Sequence, residues 1–177
     1  EFIGTFFLYL IISLSAVAGN AGNLAPLAIG VGLTAICFAS GHRSKAHFNP
    51  AVTAAFLTTK NQPARESFFY CIVTIAGAAL AAYVALIIIP APFQAIIDNS
   101  TGLQHSENFQ LIPAIVSEFL FTFALVWVIL NVAISKGTAG NGFYGIAIGF
   151  VVATGAFSVG SISGASFNPA VNVGLLI

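Results

Sequence analysis

An eight-residue motif occurs twice in this chain, as AHFNPAVT at residues 46–53 and as ASFNPAVN at residues 165–172. Asparagine is a favoured N-cap of α-helices, and proline is favoured at the first helical position. Each copy therefore predicts that a helix begins at its Asn-Pro pair. Because the same helix start recurs late in the chain, we expect the two halves of the chain to share one architecture.

The similarity between the two halves extends beyond this motif. Three further pairs of segments match: EFIGTFFL at 1–8 with EFLFTFAL at 118–125, LAIGVG at 27–32 with IAIGFV at 146–151, and SGHRSKAHFNPAV at 40–52 with VGSISGASFNPAV at 159–171. We therefore divide the chain into a first repeat, residues 1–111, and a second repeat, residues 112–177, which ends with its Asn-Pro segment.

The composition places these repeats in a membrane. Of the 177 residues, 58% are hydrophobic and 6% are charged, whereas a soluble domain carries about 25% charged residues. A helix needs about 17–25 mostly apolar residues to span a bilayer. Five segments meet or approach this length: 2–18, 24–40, 67–90, 112–134 and 143–160. The two Asn-Pro pieces, 49–58 and 168–177, reach about half-way across.

The number of spans predicts how the repeats are oriented. Three spans in the first repeat are an odd number, so the second repeat starts from the opposite face, which is the pattern of an inverted repeat. The basic residues are Arg43, Lys45, Lys60, Arg65 and Lys136. By the positive-inside rule, 41–66 and 135–142 are cytoplasmic, and 91–111, with Asp98 and Glu107, is outside. The two half-helices then enter from opposite faces and meet near the midplane.

The segments before the half-helices predict a water-filled path. Irregular backbone survives at membrane depth only where protein buries it or where it lines a cavity, so we expect 40–48 and 159–167 to line a pore. The candidate pore-lining loop residues are Gly41, His42, Ala46, His47, Gly164 and Ser166. Their carbonyls offer acceptors, and the two asparagine amides offer donors. The positive helix ends repel cations, which favours a pore for neutral molecules.

Two glutamates occupy equivalent places in the repeats. Glu1 and Glu118 each stand at or near the start of an apolar segment. We expect each carboxylate to be a structural support that accepts backbone N–H groups from its re-entrant loop. The alternative is ion coupling, because an ionisable residue within a membrane is a functional candidate by default.

The remaining polar and sulfur-containing residues favour no metal or cofactor site. His42 and His47 lack the further partners that a metal site needs, so His47 is predicted to belong to the pore wall and His42 to its cytoplasmic mouth, where a pH-gating role is the alternative. Cys37 and Cys71 lie in apolar segments and are expected to pack as buried thiols. No basic stripe suggests a nucleic-acid partner.

Four segments of the chain resemble the sequence motifs of the major intrinsic protein family, the aquaporins and aquaglyceroporins. They are EFIGTFF (1–7), GHRSKAHFNPAVT (41–53), SEFLFTF (117–123) and GSISGASFNPAV (160–171). The resemblance implies an all-α membrane protein, an inverted repeat of six transmembrane helices with two re-entrant half-helices. It also implies a homotetramer with a pore in each subunit, passive conduction and no enzymatic activity. The NPA motifs are Asn49-Pro50-Ala51 and Asn168-Pro169-Ala170.

The chain departs from the family pattern in three ways. The sixth span is missing from this sequence, so we expect the sequence to be a piece of a longer protein. Arg43 and Lys45 stand where Ile and Gly are usual, which suggests a barrier to cations, a tethered gate or contact with lipid headgroups. The selectivity filter maps to Ile29, Ala156, Ala165 and Val171, all apolar, with Val171 in place of the usual Arg. Such a ring is either wide or prone to dewetting.

These observations lead to a ranked set of functions. The leading expectation is a passive channel for water, with glycerol or other small neutral solutes also conducted and with ions and protons excluded. The alternatives are an aquaglyceroporin-type facilitator with little water selectivity, a secondary transporter, or a non-conducting structural membrane protein. We expect a multi-pass protein of the plasma or bacterial inner membrane, in contact with lipid. Asn99 begins a glycosylation sequon in the predicted outside loop.

Overall fold

A computed structural model describes residues 1–89 and 110–177 of the chain. The described part is a bundle of helices. In chain order they are α1 (Phe2–Ile12), α2 (Ala25–Ser44), α3 (Pro50–Thr58), α4 (Ala64–Ile88), α5 (Leu111–Ile129), α6 (Tyr144–Ser163) and α7 (Pro169–Leu175). A π-helical segment extends α1 over Ser13–Val17 and α5 over Leu130–Ile134. Asp98, Asn99 and Glu107 lie outside the described residues.

Four of these helical segments are long and apolar enough to cross a membrane, and they identify an integral membrane protein. They are Gly22–Ser44, Ala64–Ile88, Leu111–Ile134 and Tyr144–Ser163, which confirms four of the five predicted spans. The first apolar segment, Phe2–Val17, is shorter than a full span. The outer surface is apolar as well: Phe119, Phe123 and Trp127 are each more than 60% exposed along one face of α5.

The two repeats are joined where α2 crosses α6. Gly30 and Gly149 face each other at this crossing, and a Cβ atom on Gly149 would lie 2.2 Å from the Gly30 carbonyl oxygen and 2.1 Å from Thr34 Oγ1. Small residues let helix backbones approach this closely in membranes. A similar contact joins α1 to α4, where a Cβ on Gly77 would lie 2.5 Å from the Phe2 carbonyl oxygen.

The irregular loops are shorter than the sequence suggested. Helix α2 continues to Ser44 and α6 continues to Ser163, so the predicted loops 40–48 and 159–167 begin as helix. The connections themselves contain only a few residues on each side. The physical reason is that a helix satisfies its own backbone hydrogen bonds within the bilayer, so α2 and α6 extend as far as their geometry permits.

The basic residues gather at one end of the bundle. Helix α6 begins beside the end of α2, because the Tyr144 hydroxyl donates to the Cys37 carbonyl oxygen (3.4 Å) and its ring meets Phe38 edge-on at 5.1 Å. The five basic residues lie on the helix ends and connections around this point. This placement is what the predicted orientation requires, although the orientation itself stays a prediction.

The crossing of α2 and α6 gives a stability prediction. We expect Gly149→Ala to lower the free energy of unfolding by about 1–3 kcal/mol, because the added methyl group overpacks against backbone that cannot retreat. The matched control is Gly160→Ala on the same helix, where a Cβ meets nothing within 4 Å. Alanine there favours helix by up to about 1 kcal/mol. Thermal melting of the purified protein in detergent measures both, and equal melting temperatures would contradict the prediction.

Candidate functional site

Two asparagines join the half-helices at their N-termini. The Oδ1 atom of Asn49 accepts the backbone N–H two residues further on (2.8 Å), and Asn168 does the same (3.0 Å), so each caps its own helix. The Nδ2 atom of Asn49 donates to the Phe167 carbonyl oxygen, and that of Asn168 donates to the Phe48 carbonyl oxygen, both at 2.8 Å. Each asparagine thus caps its own half-helix and holds the loop of the other.

These bonds leave capacity on both side chains. A side-chain amide carries two N–H donors, and the bond to the opposite carbonyl uses one of them. The second donor of Asn49 and of Asn168 has no hydrogen-bond partner among the described residues. Both asparagines line the same cavity. Two donors are therefore available at the point where the half-helices meet.

The two glutamates hold the loops that precede the asparagines. Glu1 accepts the backbone N–H of His47 on Oε1 (3.0 Å) and that of Phe48 on Oε2 (2.6 Å). Glu118 accepts the backbone N–H of Ser166 on Oε1 (3.1 Å) and that of Phe167 on Oε2 (2.8 Å). In each repeat, one carboxylate satisfies two successive amides of a loop that has no helical partners for them.

The loops share an unusual backbone conformation that needs this support. Each loop contains left-handed residues other than glycine: Ala46, Phe48, Ala165 and Phe167 all have φ between 48° and 52°. Left-handed backbone is unfavourable for such residues and persists only where the surroundings determine it. The carboxylates and the reciprocal asparagine bonds provide those surroundings.

A cavity of about 450 Å³ runs beside these loops. The predicted filter residues Ile29, Ala156, Ala165 and Val171 all line it. So do the predicted loop residues Ala46, His47, Gly164 and Ser166, together with Asn49 and Asn168. The structure thus brings most of the candidate site residues to one cavity.

Two candidate loop residues do not belong there. Gly41 and His42 lie in the last turns of α2, so their assignment to a loop is wrong, and neither lines this cavity. A Cβ on Gly41 would lie 2.9 Å from the Tyr144 hydroxyl oxygen, so this glycine serves helix packing. His42 is exposed at the end of the bundle.

The remaining residues of the NPA motifs serve the helices. Pro50 and Pro169 occupy the first positions of α3 and α7. Ala51 and Ala170 follow them, and Ala170 is fully buried. Within each motif, only the asparagine lines the cavity beside the filter.

The rest of the cavity wall is apolar, and sequence reasoning missed it. Its side chains come from α1, α2, α5 and α6: Leu8, Ile12, Leu33, Leu125, Ile129, Ile148 and Val152. A signal was present, because Leu8 and Leu125 close the matched segments EFIGTFFL and EFLFTFAL. Both are 5% exposed. The cavity therefore has a polar strip along the two loops and an apolar surface elsewhere.

His47 is the one imidazole on the cavity wall. Its ring lies between Phe56 (4.0 Å between ring centres) and Tyr70 (5.0 Å), and its Nδ1 lies 3.0 Å from Thr53 Oγ1. The Thr53 hydroxyl donates to the Asn49 carbonyl oxygen (3.1 Å), which assigns the imidazole proton to Nδ1. The Nε2 atom is then an acceptor, and no described residue bonds to it.

The described residues hold no cluster of three His, Cys, Asp or Glu side chains suited to a metal ion. Cys37 is buried and Cys71 is half-buried, and both are free thiols.

The support given by Glu118 can be tested by its loss. Hydrogen bonds to a charged group contribute about 1.5–3 kcal/mol each, and Glu118 also accepts from Ser163 Oγ (2.6 Å). We expect Glu118→Leu to lower the free energy of unfolding by about 3 kcal/mol or more, with a smaller loss for Glu118→Gln, which keeps one acceptor oxygen. Thermal melting in detergent measures the order of stability of the parent and the two variants. A Glu118→Leu variant as stable as the parent would contradict the prediction.

Comparison with known proteins identifies relatives of this chain. The family model described as "Major intrinsic protein" matches residues 1–177. Nodulin-26 of Glycine max is 34% identical over 183 residues, covering 98% of this chain and 64% of that protein. Aquaporin NIP3-1 of Arabidopsis thaliana is 33% identical, covering 98% and 56%. Aquaporin AqpM of Methanothermobacter thermautotrophicus is also 33% identical, covering 96% and 78%.

A solved structure shares the fold. The aquaglyceroporin from Plasmodium falciparum superposes with a TM-score of 0.80 at 19% identity, covering 99% of this chain and 77% of that one. The chain spans about half to two thirds of the length of the plant relatives it matches. With the family model covering every residue and the helices in this arrangement, the chain belongs to the major intrinsic protein family.

Proposed function

We propose that this protein is a passive transmembrane channel for water and small neutral solutes, and that the pore runs through the cavity described above. The observation that carries the proposal is the meeting of Asn49 and Asn168 on one cavity wall, each at the N-terminus of a half-helix and each with a free N–H donor. Donors at the centre of an otherwise apolar path orient small polar molecules without binding them tightly.

In this proposal each group of site residues has a distinct role. The asparagines form the central constriction. Ile29, Ala156, Ala165 and Val171 form the filter on the side of the second repeat's loop, where all four line the cavity. Glu1 and Glu118 are structural supports, because their oxygens are occupied by loop amides. That occupation weighs against the ion-coupling role that a secondary transporter would need.

The half-helices give the pore its exclusion of ions. Each helix N-terminus carries the equivalent of about half a positive charge, and α3 and α7 direct both of theirs toward the asparagines. Cations and protons are repelled at that point. Among residues 1–89 and 110–177, no carboxylate lines the cavity to offset this, and Glu1 and Glu118 face the loop backbone.

The wall chemistry favours small polyols as well as water. A solute with carbon on one side and hydroxyl groups on the other fits a cavity with one polar strip and apolar surfaces opposite. The filter adds no donor that would require a matching acceptor on the solute. We therefore propose glycerol and molecules of similar size as solutes beside water.

The surroundings of the pore extend the proposal to location and assembly. The exposed aromatic face of α5, formed by Phe119, Phe123 and Trp127, is suited to lipid or to another subunit. We propose a homotetramer embedded in the cell membrane, either the plasma membrane or a bacterial inner membrane. Crosslinking of the purified protein tests the subunit number.

The filter gives a test by a single substitution. We expect Val171→Arg to lower the glycerol permeability of proteoliposomes about tenfold, because the guanidinium narrows the ring and replaces an apolar wall with a hydrated charge; this ratio corresponds to ~1.4 kcal/mol of barrier. Water permeability should fall less, since water is smaller and bonds to the guanidinium. Stopped-flow shrinkage of the proteoliposomes in sucrose measures the water permeability, and their swelling in glycerol measures the glycerol permeability.

Control measurements separate the competing functions. Val171→Met adds bulk without charge. It therefore distinguishes narrowing of the filter from the effect of a hydrated charge. Flux that is linear in the solute gradient supports a channel, whereas saturable flux would indicate a carrier. Vesicles no more permeable than lipid alone would indicate a non-conducting protein. Steady cation current through the parent protein in planar bilayers, abolished by Val171→Arg, would refute the proposed exclusion of ions.

A further inference from the structure

Lys45 occupies a backbone position that favours glycine. It ends α2 with φ 65° and ψ 0°, and the equivalent residue of the second repeat, Gly164, ends α6 with φ 84°. Helices commonly end on a left-handed residue, and glycine is preferred there because a side chain raises the energy of this conformation. The lysine in the first repeat therefore calls for a compensating interaction.

The side chain of Lys45 makes two such contacts. Its Nζ donates to the carbonyl oxygen of Asn61 at 3.1 Å, and it lies 6.0 Å from the centre of the Phe56 ring. An ammonium group over an aromatic face is attracted by the ring quadrupole. Asn61 belongs to the connection between α3 and α4, so the lysine links the end of α2 to that connection.

The contact continues to the cavity wall. Phe56 is only 1% exposed, and its ring centre lies 4.0 Å from that of His47, with 51° between the ring planes. His47 in turn lines the cavity. The backbone N–H of Asn61 donates to the Phe56 carbonyl oxygen (2.8 Å). Lys45, Asn61 and Phe56 thus form one connected unit behind the His47 ring.

Arg43 provides the contrast. It lies two residues earlier on the same end of α2, carries the same charge and is exposed. It makes no hydrogen bond or ion pair with any residue in 1–89 or 110–177. The two cations that distinguish this repeat from the second one therefore differ in what they contact.

We propose that Lys45 is a positioning residue of the pore: by holding the α3–α4 connection and the Phe56 ring, it fixes the His47 side of the cavity and so sets which solutes pass. This inference rests on the proposed channel function. Loss of the tether lets the Phe56–His47 pair shift, which widens that end of the cavity. We expect the effect to be on discrimination between solutes, because the width of the cavity changes at His47 while the filter residues keep their own contacts.

The test compares four variants in proteoliposomes. Lys45→Met and Lys45→Gly remove the ammonium, the second with a residue suited to the backbone conformation. Lys45→Arg keeps the cation, and Arg43→Met removes the neighbouring charge. We expect Lys45→Met and Lys45→Gly to raise the ratio of glycerol permeability to water permeability by about fivefold. A change of this size is what the loss of one modest contact produces. Lys45→Arg and Arg43→Met should keep the parent ratio.

The ratio separates positioning from loss of folded protein, because fewer active channels lower both permeabilities equally. An equal shift in Arg43→Met would overturn the inference in favour of a general charge effect. An unchanged ratio in Lys45→Met and Lys45→Gly would overturn it while leaving the channel proposal intact.

A spectroscopic measurement tests the tether without relying on conduction. The side-chain nitrogen resonances of His47, identified by their loss in His47→Gln, should shift in Lys45→Met and stay in place in Arg43→Met. Parent vesicles no leakier than lipid, combined with that shift, would refute the channel and retain the positioning contact. Resonances that stay in place in Lys45→Met would refute the contact itself.

Discussion

The reciprocal hydrogen bonds between Asn49 and the Phe167 carbonyl, and between Asn168 and the Phe48 carbonyl, are the constraint on which the rest of the structure depends. They join two half-helices that do not cross the membrane alone. Buried polar groups at this depth require partners, because an unpaired one costs about 1–3 kcal/mol or more. Each half of the chain supplies what the other lacks, so neither loop is satisfied without the other repeat.

The backbone of the loops around this junction also depends on partners from elsewhere in the chain. Their left-handed residues cannot continue a helix, and the amides of Phe48 and Phe167 would remain unpaired without Glu1 and Glu118. The carboxylates therefore stabilise the strained segments and are occupied by them. This leaves Asn49, Asn168, His47 and Ser166 as polar residues on the wall of an otherwise apolar cavity.

Much of this arrangement could be predicted from the sequence, and the failures have physical causes. The Asn-Pro pairs predicted both half-helix starts, and apolar length predicted five spans, four of which are confirmed. Gly41 and His42 were assigned to a loop, because glycine and polar residues are typical of loops, yet α2 continues through them. Gly41 leaves room for the Tyr144 side chain of α6. A contact between two helices cannot be predicted from a local sequence pattern.

What the sequence by itself determined is where both half-helices begin, four of the apolar spans and the identity of the motif residues, because helix caps and apolar length are local properties of the chain. What only the tertiary structure decided is how these residues meet. Leu8 and Leu125 line the cavity, Lys45 contacts the α3–α4 connection, and Arg43 is exposed. Two cations two residues apart on one helix end look alike in sequence, and only the position of a distant carbonyl and an aromatic ring distinguishes them.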